Sequence, residues 1–400
     1  MFQPFASCVL VAFSATKLGH VRRSVCEGWA DGRSRHKAGD RLRDKRRAFL
    51  VCGPSGAGKD TILENVRAKL NGCTVISRHL TRGPEKITGI EISTSATEFA
   101  AMDSSRRFLT TWSSHSTQYG ISRRAVHQAL ESGDVVLNVS RSEIPGLEQT
   151  LEAMGCDVAV VVIEASPAVL QARLQSRGRE TSEQIAFRIA RQPSIASRNR
   201  VWRVRNDADV DSAVTALLEI LTGTMKCSLW VMPAVNSDIF ARTKQLIGVL
   251  ADQNSVAPFD PHITLCPSVA CQSDQIESTA RDVAKEIGGP VEVVPSTATV
   301  SETQWNRAVV LEAPGVSIEH ASLAARRALD RCGSAVNLSL GGYAPHISFL
   351  YGIHPDVALF ASAVEVTGLR LSPFQCSALC VVHTPTPAWS NWVFLARIPL

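Results

Sequence analysis

The sequence predicts two folded units of different class, an α/β unit on a parallel sheet followed by an α+β unit built as a bilobal, duplicated pair of halves. From Ala48 onward, short apolar runs alternate with helical stretches, the pattern of strands and helices laid on a parallel sheet. Beyond Met225 the pattern changes to two similar rounds, each carrying a Pro-His-Ile-(Thr or Ser)-apolar segment. At 400 residues the chain is also too long for one ordinary core.

Taken in order, Ala48–Cys52 reads as a strand, Lys59–Leu70 as a helix, Arg123–Ser132 as a helix, and Val135–Val139 and Val158–Ile163 as buried strands. A helix follows over Pro167–Arg177, and another over Asp209–Leu221 with Asp209 as its N-cap. Thr222–Met225 is the expected boundary. The second unit then runs through a strand at Cys227–Met232, a capped helix at Ser237–Asp252 and a short strand at His262–Leu265. Its second round has a helix at Ala321–Arg331 and a strand at His346–Tyr351. The expected organisation is therefore an extension over 1–47, one domain over 48–223 and another over 226–400.

Charge is unevenly spread. The net charge is +5, but residues 1–47 hold eleven Lys or Arg against four acids and so carry +7, leaving −2 over the rest. A near-neutral folded part speaks against a nucleic-acid surface, whose phosphate contacts need clustered cations. No apolar run approaches the roughly 18 residues a membrane span requires. The eleven cysteines include no CxxC pair, which fits reduced thiols rather than a zinc or disulfide framework. The first 24 residues lack acids and include an apolar stretch from Phe5 to Phe13, a composition shared by organellar presequences, signal peptides and plain extensions. A cytoplasmic setting is expected, with an organellar presequence as the open alternative.

Gly53-Pro54-Ser55-Gly56-Ala57-Gly58-Lys59 follows a predicted strand and opens a predicted helix. In that context the glycines let the backbone wrap a phosphate, the helix N-terminus attracts its oxygens, and Lys59 adds a point charge. Asp60 stands where a Mg²⁺-binding Ser or Thr is usual, with Thr61 next. With Arg78-His79-Leu80-Thr81-Arg82, Trp112-Ser113-Ser114-His115, Tyr119-Gly120, Leu137-Asn138-Val139-Ser140-Arg141 and Arg177-Gly178-Arg179-Glu180, this segment resembles the ribose 1,5-bisphosphate phosphokinases, relatives of guanylate kinase. The resemblance covers about residues 48–222. It implies a P-loop kinase using ATP and Mg²⁺, with Asp60 and Thr61 at the metal. Arg78, Arg82, Tyr119, Arg141, Arg173, Arg177 and Arg179 are the expected contacts to substrate phosphates, guanidinium groups being suited to oxyanions. Thr88 to Ile92 matches that family less well.

His followed two residues later by Ser or Thr occurs five times, but only Pro261-His262-Ile263-Thr264-Leu265 and Pro345-His346-Ile347-Ser348-Phe349 share the longer frame. Along a strand, residues i and i+2 point the same way, so each His shares a face with its hydroxyl residue while the apolar neighbours face the core. If the halves pack symmetrically, two imidazoles and two hydroxyls meet in one solvent-reachable groove. There one His takes a proton from water, the other protonates the leaving alkoxide, and Thr264 and Ser348 bind phosphoryl oxygens. Which His plays which part is open. With Ser228-Leu229-Trp230, Pro258-Phe259, Tyr343, Leu350-Tyr351-Gly352 and Trp392, residues 226–400 resemble the cyclic phosphodiesterases of the 2H phosphoesterase superfamily. That resemblance implies a metal-independent hydrolase, with Tyr351 among the residues that line its pocket.

Taken together, the resemblances imply an enzyme of small sugar phosphates and ATP. The second unit opens 5-phosphoribosyl 1,2-cyclic phosphate and the first phosphorylates the resulting ribose 1,5-bisphosphate. Fusion raises the local concentration of the intermediate. An RNA or nucleotide end-healing enzyme is the alternative, and the neutral folded charge counts against it. Oligomeric state is not written in the sequence.

Overall fold

In the computed structural model the first half is built on a parallel sheet whose central strand is β1 (Arg47–Cys52). The structure describes residues 45–84, 88–114, 116–176, 185, 195–296, 298–300, 307–334, 336, 343–351 and 372–400. Residues 1–44 of the N-terminal extension, His115, Arg177, Arg179 and Gly352 lie outside them, and Arg47, expected in the extension, begins β1.

The sheet has the order β2 (Cys73–Ile76), β7 (Asp134–Asn138), β1, β8 (Asp157–Glu164), β9 (Arg200–Arg205), every pair parallel. β1 is apolar throughout because both of its faces are covered. Ala48, Leu50 and Cys52 pack into one core with residues of α3 (Arg123–Ser132) and α4 (Ile144–Ala153). Phe49 and Val51 pack into another with α1 (Lys59–Arg67) and α6 (Val210–Thr222). α5 (Pro167–Ser176) follows β8. Beside this layer stands a four-stranded sheet of β3 (Arg78–Leu80), β4 (Glu91–Ser93), β5 (Phe108–Ser114) and β6 (Thr117–Ser122), with α2 (Ala96–Ser104) between β4 and β5. The sequence pattern does not predict this sheet: β3 and β4 have three residues each, and β3 joins the β5–β6 hairpin by pairing with the distant β6.

α6 begins at the Asp209 cap, whose carboxylate accepts from the Ser212 amide at 2.7 Å, and ends at Gly223 in the left-handed region. β10 (Thr224–Met232) starts at the next residue. No linker separates the halves. α6 leads into a core shared by Ile220, Leu221, Met225, Cys227 and Leu229. Buried His383 donates through Nε2 to the Glu219 carboxylate at 2.7 Å across the same junction.

Behind this junction lies one seven-stranded antiparallel sheet. Its order is β13 (Ala298–Val300), β14 (Arg307–Glu312), β15 (His346–Tyr351), β11 (Ile263–Gln272), β10, β17 (Ala378–His383), β18 (Val393–Pro399). Both repeats contribute, so β15 and β11, the two motif strands, lie side by side at its centre. A two-stranded sheet of β12 (Val291–Val293) and β16 (Phe374–Cys376) flanks it. Cys227, Leu229 and Val231 of β10 share a core with residues of α7 (Asp238–Gln253), α8 (Ile276–Ile287) and α9 (Val316–Arg331). The alternate residues Ser228, Trp230 and Met232 face the other way, where the histidines stand. Among the described residues no helix is long and apolar enough to cross a membrane.

Candidate functional site

The phosphate loop joins the C-terminal end of β1 to α1. Gly53 has φ +149° and Gly58 φ +87°, conformations that glycine tolerates. A Cβ on Gly53 would lie 2.1 Å from the Ile163 carbonyl oxygen, and one on Gly58 2.5 Å from Asn206 Nδ2, so both positions exclude any side chain. α1 has no side-chain cap, which leaves its first amides available to an anion. Lys59 Nζ donates to the Gly53 and Pro54 carbonyls at 2.8 and 3.0 Å, curled over the loop. Burial pushes its ammonium down to about 8, opposed by the charge of Asp60. An anion beside it would favour its charged form. Ser55 is exposed at the loop's tip and Ala57 is buried beneath it.

Asp60 accepts from Arg78 Nη2 at 3.0 Å and from Asn138 Nδ2 at 2.7 Å. Asn138 ends the apolar strand β7, is 2% exposed, and its Oδ1 meets no donor. An unmet carbonyl oxygen beside a partly exposed carboxylate is a donor set that fits Mg²⁺ or its water shell. Thr61 is exposed on α1. The sequence carries one signal for Asn138, a polar residue that closes the apolar run Val135-Val136-Leu137.

The expected phosphate-binding residues separate into groups. Arg78 lies in β3, and its guanidinium is committed to Glu91 (2.5 and 3.2 Å) and Asp60. Its charge is shared between two carboxylates, and it holds Asp60 in place. Arg82 donates to the Tyr119 hydroxyl at 3.0 Å, and the Tyr119 ring stacks on Trp112 at 5.3 Å. Arg141 follows β7 and lies close enough to Cys52 and Lys59 to act on the ionisation of both. Arg173 Nη1 reaches the Gly56 carbonyl at 3.5 Å, over the loop.

In the second half, Ile263 pairs with Ile347 in antiparallel register. That register sets His262 across from Ser348 and His346 across from Thr264, all four on the face opposite the two buried isoleucines. The motif strands thus bring the four predicted side chains together. Each His Nδ1–H donates to a main-chain carbonyl two residues back, Asp260 for His262 and Ala344 for His346, both at 2.7 Å. These bonds place the proton on Nδ1 and leave each Nε2 to face away from the main chain.

The histidines are not equivalent, and here the expectation of two solvent-reachable rings is corrected. His346 is half-exposed, but His262 is only 4% exposed. Trp230 lies flat on the His262 ring at 3.6 Å and 13°, and Tyr351 brings its hydroxyl to 3.5 Å from Nε2. Phe259, Trp389 and Trp392 complete an aromatic wall around Tyr351 and His262. Burial pushes His262 down to about 4, with the nearby His346 lowering it further and the Asp260 carbonyl opposing. At neutral pH it is an uncharged base.

A model of the guanylate kinase family matches residues 45–224, and one of the cyclic phosphodiesterase-like proteins matches residues 225–367. The ribose 1,5-bisphosphate phosphokinase PhnN of Thiobacillus denitrificans is 32% identical over 178 residues, 44% of this chain and 92% of that protein. The bifunctional ribose 1,5-bisphosphokinase-thymidine phosphorylase of Cupriavidus necator is 31% identical over 49% of this chain. The chain spans only 32% of that longer protein. The apo crystal structure of E. coli LigT is 12% identical over 44% of this chain and 98% of its own, with a TM-score of 0.30.

Proposed function

From the premise that the chain belongs, through 44% of its length, to the ribose 1,5-bisphosphate phosphokinase family and carries a cyclic phosphodiesterase-like domain over residues 225–367, we propose a bifunctional enzyme of ribose phosphates. The second half opens 5-phosphoribosyl 1,2-cyclic phosphate. Water adds to phosphorus, the bond from phosphorus to O2 breaks, O2 leaves with a proton, and the phosphate stays on O1. The first half then transfers the γ-phosphoryl of ATP onto that 1-phosphate, giving 5-phosphoribosyl diphosphate and ADP.

The observation that carries the reading is the pairing of an intact phosphate loop with two same-tautomer imidazoles on one sheet face of the same chain. An uncharged His262 suits the proton acceptor and half-exposed His346 the donor. Thr264 and Ser348, beside the two rings in the strand register, take the part of holding phosphoryl oxygens in this reading. In the kinase half Lys59 and the loop amides bind the ATP phosphates, with Arg141 and Arg173 beside them. Mg²⁺, which Asp60 and Asn138 would hold, supplies charge neutralisation on the β- and γ-phosphates. Thr61, Arg82, Tyr119, Arg177 and Arg179 remain proposed contacts.

The aromatic wall favours a second reading for the hydrolase half alone. The partly exposed Phe259, Trp389 and Trp392 offer planar surface to a nucleobase, so a nucleoside 2′,3′-cyclic phosphate is the alternative cargo. One assay separates the two. Full-length protein with Mg-ATP is offered each cyclic phosphate. Lys59→Ala should stop the sugar route at the bisphosphate, and His346→Ala before it. Turnover of the nucleotide without the sugar would sink the first reading.

A further inference from the structure

The short turn Trp389–Asn391 touches both halves, and its side chains divide between them. Trp389 lies 5.5 Å from the Tyr351 ring, and its Nε1 donates at 2.9 Å to the carbonyl of Ala257, in the loop that leads to His262. Trp392, the next residue, sits 6.4 Å from the His262 ring and 5.6 Å from Tyr351. Asn391 is 1% exposed and serves the other half: its Oδ1 accepts from the Asp207 backbone N–H at 3.5 Å. Asp207 in turn accepts through Oδ1 from the Ser166 N–H, just past β8. Its neighbour Asn206 donates from Nδ2 to the carbonyl of Ala57 in the phosphate loop at 2.8 Å. A second link crosses nearby, where Thr386 donates to the Ser212 hydroxyl at 3.1 Å while its carbonyl accepts from Trp392 Nε1 at 2.8 Å. An unbroken series of bonds and ring contacts thus runs from the phosphate loop to the buried imidazole.

Packing alone does not account for an Asn at this place. Asn391 Nδ2 is buried without an acceptor, and on the facing loop Asn206 Oδ1 is buried without a donor. Unmet groups of this kind are costly, and an apolar residue of equal volume at 391 would remove one of them. What the carboxamide adds is its grip on Asp207.

We propose that Asn391 is a positioning residue for both reactions, fixing the aromatic wall over His262 to the Asn206–Asp209 loop that braces the phosphate loop. The proposal rests on the two activities assigned above. It makes the hydrolase site dependent on the kinase half for its shape, and a change at one site reaches the other, as reciprocal coupling requires.

The test compares full-length wild type with Asn391→Leu, which keeps volume and loses the bond. The probes are 2′,3′-cyclic AMP and 5-phosphoribosyl 1,2-cyclic phosphate for the hydrolase, and Mg-ATP with ribose 1,5-bisphosphate for the kinase. Loss of one such bond should raise KM about three- to tenfold in both half-reactions with kcat within about twofold. Hydrogen exchange should quicken in residues 206–209 and in 257–262, segments that do not contain residue 391. Unchanged KM values, or faster exchange confined to the segment around 391, would overturn the proposal. Should wild type turn over none of the probes, the activities assigned above fail, and the exchange comparison alone decides the positioning role.

Discussion

Acidification should unfold this protein partly through one ring. His262 is held at about 4 in the folded chain against an ordinary 6.5, because burial under Trp230 and Tyr351 disfavours its cation. Between those two values the unfolded chain binds a proton that the folded chain refuses. Stability from this group is therefore complete above about pH 6.5 and is lost as pH falls toward 4. At about 1.4 kcal/mol per unit of difference, the loss by pH 4.5 comes to roughly 2.5 kcal/mol. The assay is urea unfolding from pH 7.5 to 4.5 of wild type and His262→Gln, each normalised to its own value at pH 7.5. Wild type should lose about 2.5 kcal/mol more than the variant over that range. Parallel pH profiles would refute the buried, neutral imidazole and with it the assignment of His262 as proton acceptor.

Lys59, held near 8, should make the KM for Mg-ATP rise about tenfold from pH 7 to 9, since the phosphates need the ammonium and the apo enzyme surrenders it over that interval; steady-state kinetics on Lys59→Arg, which stays charged, should flatten the rise. Glu91→Gln removes one partner of the buried Arg78 guanidinium and should cost about 3 kcal/mol in urea unfolding, together with looser Mg²⁺ dependence through Asp60. Gly53→Ala forces a Cβ to 2.1 Å from a main-chain oxygen at φ +149°, so kinase turnover should vanish while cyclic phosphate opening, assayed on the same preparation, persists with a raised KM.

The sequence by itself determined whatever depends on neighbours along the chain. The phosphate loop is a run of consecutive residues, Gly53 to Lys59, whose glycines and helix start dictate a cradle. The two His-x-(Thr or Ser) strands share a face by the period of two. Asp209 and Ser237 announce their helices by capping chemistry. Only the tertiary structure decided which side chains meet across the fold. Arg78 is followed by nothing that marks it as paired, yet Glu91 and Asp60 consume its charge. His262 and Tyr351 stand 89 positions apart, and their contact buries one histidine of a pair that reads as symmetric. The Asn391–Asp207 bond spans 184 positions and joins halves that composition alone separates. Burial and partner choice are properties of a packed interior, where the dielectric is low and every polar group must find its match, and no local pattern encodes that matching.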